Sequence, residues 1–107
     1  MATFVVRIQL QGADSSEYVP LWTALEKSGF ADRVPSGEKW YALPSGVYVF
    51  SGERTLNEVT LLAVRAAQTT GRKPKVLVTQ SAGMCCFGLD EYKTDDELLK
   101  ELFQVKG

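Results

Sequence analysis

The sequence predicts an α+β fold: a ferredoxin-like βαββαβ sandwich, with an antiparallel sheet carrying both helices on one face, plus a short C-terminal strand and helix. The first reason is the period-two alternation from Thr3 to Leu10, with Phe4, Val6, Ile8 and Leu10 on one side and Val5, Arg7 and Gln9 on the other. The second is a pair of amphipathic segments of similar length, each closed by a glycine. The third is their placement, one before and one after two strand-like runs, which the right-handed crossover preference converts into a split-βαβ order.

The second helix is the clearest element. Thr55 followed by Glu58 is a capping box, in which hydroxyl and carboxylate each satisfy the other residue's free amide. Val59, Leu62, Ala63 and Ala66 form one apolar stripe, Gly71 supplies the left-handed end, and Pro74 cannot extend a helix. Lys75 to Thr79 then reads as a strand rich in β-branched residues.

Earlier in the chain, Gly12 to Ser16 forms a turn, and Asp14, Ser15 or Ser16 can cap the first helix. Its stripe is Tyr18, Leu21, Trp22 and Leu25; Pro20 belongs to the first turn and Gly29 ends it. Ala31 to Glu38 reads as a polar loop, the segment expected to move most. Lys39 to Leu43 and Val47 to Phe50 are expected to pair as a hairpin through Pro44-Ser45-Gly46. Met84 to Phe87 suggests a short edge strand, and Thr94 with Glu97 opens a last helix bearing Leu98, Leu99, Leu102 and Phe103.

Composition limits function more than it defines it. The 107 residues form one domain, 1–107, with 45% hydrophobic and 23% charged residues and no apolar run long enough for a membrane span. Met1-Ala2-Thr3 leads straight into a strand pattern without a basic leader, so a cytoplasmic location is expected. A net charge of −1 provides no global attraction to phosphate, so any nucleic-acid contact depends on a local patch. The chain has no histidine, which excludes Ser-His, Cys-His and two-histidine ribonuclease mechanisms. Cys85 and Cys86 are adjacent, a poor geometry for a disulfide and a poor zinc donor set, and are expected to be small buried thiols. No metal or cofactor is expected.

The chain resembles the GhoS-type antitoxin endoribonucleases, a family of small bacterial proteins. The residues that carry the resemblance are Gly12-Ala13-Asp14, Gly29-Phe30, Tyr41 to Pro44, Ala67 to Gly71 and Val76 to Thr79, within a similarity spanning Thr3 to Leu89. The resemblance implies a ferredoxin-like fold related to the CRISPR-adaptation ribonuclease-like proteins, and RNA cleavage or antitoxin action. The tail from Asp90 to Gly107 is longer than the family leads one to expect.

Asp14, at the end of the first strand, is the candidate catalytic residue, since a carboxylate there could hold a divalent cation near phosphate; the competing role is a helix cap. The open sheet face is expected to carry Arg7 and Gln9, with Tyr48 and Phe50 beside them if Val47 and Val49 point at the helices. Those rings would then make a base-stacking platform, with Arg54 as a further RNA or partner contact and Arg33 and Arg72 as scattered phosphate candidates. Two functions follow. In one, the protein is an RNA-processing antitoxin that binds or cleaves single-stranded RNA on this face. In the other, it is a non-enzymatic module that uses the same face to form a homodimer or to mask a protein partner.

Overall fold

The computed structural model describes residues 2–92. In chain order the elements are β1 (Ala2–Leu10), α1 (Tyr18–Lys27), β2 (Arg33–Ser36), β3 (Lys39–Ala42), β4 (Val47–Gly52), α2 (Leu56–Gln68) and β5 (Pro74–Ser81). A single 3-10 turn, Ser15–Glu17, precedes α1. The chain is thus an α+β protein with antiparallel sheets.

β1 is central because both of its edges are paired. It runs antiparallel to β4 on one side and to β5 on the other, giving the order β4-β1-β5. Its alternation works as the sequence suggests: Phe4, Val6, Ile8 and Leu10 are buried, and Arg7 and Gln9 are exposed. The inward residues join Leu21 and Leu25 of α1, Phe30, and Val59, Ala63, Ala66 and Ala67 of α2 in one core. Small alanines let α2 approach the sheet closely.

Local chemistry accounts for both helices. At α2 the capping box is complete: the Glu58 amide donates to Thr55 Oγ1 at 3.1 Å, and the Thr55 amide donates to Glu58 Oε1 at 3.0 Å. Asp14 acts one turn before α1. Its Oδ1 accepts from the Ser16 and Glu17 amides, at 3.0 and 3.3 Å, and so closes the 3-10 turn, while α1 itself begins without a side-chain cap.

The second hairpin is where the structure departs most from the sequence reading. β3 pairs with β2, Arg33 opposite Ala42 and Ser36 opposite Lys39, and not with β4. The segment read as a polar loop therefore contains a strand, and Pro44-Ser45-Gly46 is a connection rather than a hairpin turn. Pro35, within the segment read as a loop, has no amide to donate to a ladder, yet it fits a strand here. The Leu43 amide donates to the Asp32 carbonyl, which sets the ladder parity so that the nitrogen of Pro35 points away from β3. The actual turn is Gly37-Glu38, with Gly37 at φ 64°. Among the described residues, Ala31 alone pairs with the outer edge of β4, exchanging two hydrogen bonds of 2.8 Å with Val49.

Met84 to Phe87 forms no strand. The edge of β3 is instead met by Asp90 to Tyr92: the Ala42 amide donates to Asp90 and the Tyr92 amide to Trp40. The helix expected from Thr94 to Phe103 lies outside the described residues. No helix among the described residues is long and apolar enough to cross a membrane.

Candidate functional site

The strand β4 has apolar residues on both sides, so its alternation alone cannot say which side is buried; its register with β1 does. Phe50 stands opposite Phe4, and Tyr48 opposite Val6. Partners in an antiparallel ladder share a face, so both rings go into the core, where Tyr48 is 6% and Phe50 8% exposed. Val47 and Val49 take the outer side. The expected aromatic platform is therefore absent from the open face, and Phe50 is a core residue packed on Phe4 and Phe30, with ring centroids 6.3 and 5.2 Å away.

What the open face does present is aliphatic and basic. Val5 lies between Val49 and Thr79, and Arg7 between Val47 and Leu77, with Gln9 beside Lys75. Leu77 is 66% exposed. Arg7 and Lys75 are the only charged residues among the outward positions of these three strands. Arg54 is elsewhere, paired with Glu58 at 3.5 Å on the first turn of α2.

The structure gathers Asp14 and Tyr48 where sequence reasoning kept them apart. β4 starts at Val47 while β1 continues to Leu10, so the sheet narrows and leaves a cleft of about 730 Å³ under the start of α1. Arg7, Gln9, Asp14, Tyr18, Trp22, Asp32 and Tyr48 line it, with the Leu43 to Gly46 segment as one wall. The Trp22 and Tyr48 rings lie nearly parallel, with centroids 6.1 Å apart and an interplanar angle of 9°. Tyr18 Oη accepts from the Leu10 amide at 3.0 Å, replacing a strand partner that β4 is too short to provide. Trp22 and Tyr18 read only as helix stripe in the sequence, and Asp32 as loop.

Two titratable groups of this cleft are shifted from their ordinary values. The Ser16 hydroxyl, with the Glu17 and Ser16 amides, holds the Asp14 carboxyl below the usual carboxylate range, and Arg72 adds to this. A carboxylate so stabilised is a weak base at neutral pH. Burial, reinforced by Tyr18 and Asp32, pushes the Tyr48 phenol up, so it stays protonated. Among the described residues no three of histidine, cysteine, aspartate and glutamate converge on a point that could hold a metal ion. Asp14 thus closes the turn that precedes α1, and the helix cap that competed with catalysis in the sequence reading is not formed.

Two other arginines have specific partners. Arg33 lies 3.9 Å from the Tyr92 ring centroid and 3.2 Å from Asp32. Arg72 grips Glu17 with two bonds, Nε to Oε2 at 2.6 Å and Nη2 to Oε1 at 2.8 Å, tying the approach to β5 to the start of α1. That grip outweighs the opposing effects of burial and the Asp14 charge and holds the Glu17 carboxyl below its ordinary value. A depressed folded-state pKa contributes stability above the unfolded value, and this is lost as pH falls through the folded one. The stability difference between wild type and Arg72→Ala should therefore be constant near neutrality and vanish in acid. Urea denaturation across pH 2 to 7 reads this directly; a difference that persists at the acid end would mean that Arg72 acts through packing rather than charge.

Cys85 and Cys86 are both exposed, contrary to the expectation of buried thiols. They lie with Met84, Leu89, Val34 and Tyr41 around a second cleft of about 640 Å³, beside a fully exposed Phe87. The missing strand explains the difference, since Met84 to Phe87 has no sheet to pack against. No family model matches the chain, and no curated protein has significant similarity to it.

Proposed function

We propose that the protein is a non-enzymatic interaction module, a ferredoxin-like sandwich that presents the outer face of β4-β1-β5 to a protein surface bearing carboxylates. The carrying observation is the composition of that face: valine and leucine around Arg7 and Lys75, with the aromatic rings turned inward. Aliphatic side chains bury well against protein but offer no flat ring for a base. A lone basic pair among them selects for acidic partners and disfavours stacking two such faces directly. The split-βαβ order follows if the Ala31 bridge to Val49 is the remnant of a second strand beside β4. Two exposed, unpaired cysteines suit a reducing cytoplasm.

RNA is the second reading, because the same two cations stand on a face without a carboxylate and the chain resembles antitoxin endoribonucleases. The two readings separate in one experiment. A partner captured by the wild-type chain should resist ribonuclease, bind again as purified protein, and be lost with Arg7→Glu. If the retained material is RNA, or if purified chain binds a single-stranded oligonucleotide with a salt-dependent affinity that Arg7→Ala weakens, the protein-partner reading fails and RNA replaces it.

A further inference from the structure

The outer edge of β5 has no ladder partner among the described residues. Hydrogen-bond parity identifies which groups are left free. The Gln11 amide donates to the Lys73 carbonyl at 3.0 Å, and the Ile8 amide to Gly46 at 2.8 Å, so odd-numbered residues of β1 bond toward β5 and even-numbered ones toward β4. Through the register, Lys75, Leu77, Thr79 and Ser81 direct their backbone groups at β1. Val76, Val78 and Gln80 therefore point theirs outward. Between Lys75 and Ser81 this edge is Val-Leu-Val-Thr-Gln, uncharged and free of proline, with Pro74 and Lys75 guarding one end only. An unguarded edge of this kind pairs with another strand unless something covers it.

We propose that the partner strand is β5 of a second copy of this chain, in an antiparallel pairing centred on Val78. The register is self-complementary, as a two-fold interface requires. Val78 exchanges both hydrogen bonds with its counterpart, and Val76 stands opposite Gln80. On the open face Leu77 meets Thr79 and Lys75 meets Ser81, so the two lysines are held apart at opposite ends. The axis is perpendicular to the sheet. The result is a six-stranded sheet, β4-β1-β5 continued by its own copy, with all helices on one side and one enlarged face on the other. This goes beyond the face's choice of partner, because the contact uses strand edges and leaves Arg7 free.

Hydrogen exchange read by NMR tests the proposal on the full-length chain under reducing conditions, which prevent cross-linking through Cys85 and Cys86. The Val76, Val78 and Gln80 amides should be protected at high protein concentration and lose protection on dilution, in step with a fall from dimer to monomer mass in light scattering. Val78→Pro removes an outward amide without touching the ladder to β1, and should weaken self-association about tenfold or more by deleting the central pair of bonds. Circular dichroism checks that this variant is folded, and the wild-type dilution series carries the test if it is not. A monomer whose three amides exchange freely at every concentration overturns the proposal. So does a monomer in which they are protected at every concentration, since the chain's own residues 93–107 would then cover the edge, and so does a dimer in which they exchange freely.

Discussion

Replacing Phe50 with alanine is expected to lower the unfolding free energy by about 3 to 5 kcal/mol, the usual cost of removing a fully packed ring. The ring is enclosed on several sides. Phe4 and Phe30 lie 6.3 and 5.2 Å away, and the strand pairing leaves no route for the neighbours to collapse into the vacated space. Two glycines shape the enclosure: a Cβ at Gly29 would stand 3.4 Å from the ring, and one at Gly52 3.1 Å from it. Against a typical total of about 5 to 15 kcal/mol for a domain, the loss would take a large share of the stability. Val49→Ala, on the other side of the same strand, should cost much less, because its side chain has solvent rather than core on its outer side. Guanidinium titrations of the two variants decide the orientation of β4. Equal losses would mean that the outer face is as tightly covered as the core.

Phe50 also shows where the sequence stopped being readable. Alternation placed β1 correctly because one of its sides is polar; Val47 to Phe50 is apolar on both sides, and only pairing with β1 settles the direction. α2 was legible to the residue of its cap, since Thr55 and Glu58 act on each other within one turn. β2 was not, because a proline is tolerated when its nitrogen faces away from the ladder, a fact of register and not of composition. The cleft needed more still. Asp14 could be picked out as a residue at a strand end, but its neighbours Trp22, Asp32 and Tyr48 come from a helix, a loop and a strand that only the fold assembles. The outer edge of β5, without a ladder partner among the described residues, was equally hidden, since a sequence names its strands without naming their neighbours.

Gly46→Ala should produce the other large loss, about 2 to 4 kcal/mol, by the sum of two independent effects. Gly46 has φ 80°, a conformation that costs an L-residue roughly 1 to 2 kcal/mol. A Cβ there would also stand 2.9 Å from the Ile8 carbonyl oxygen, closer than such contacts occur. Ile8 belongs to β1, which is laddered along both edges, so it cannot retreat; the Pro44 to Gly46 segment must move instead, stretching the 2.8 Å bond from the Ile8 amide to the Gly46 carbonyl. That segment is a wall of the cleft under α1, so the variant should shift the NMR signals of Tyr18, Trp22 and Tyr48 while leaving those of α2 in place. Gly37→Ala separates the two effects. Gly37 has φ 64° but open space around its Cβ, so it should show the conformational cost alone. If the two glycine variants lose the same stability, the clash with Ile8 is relieved without cost and the connection is softer than its hydrogen bonds imply.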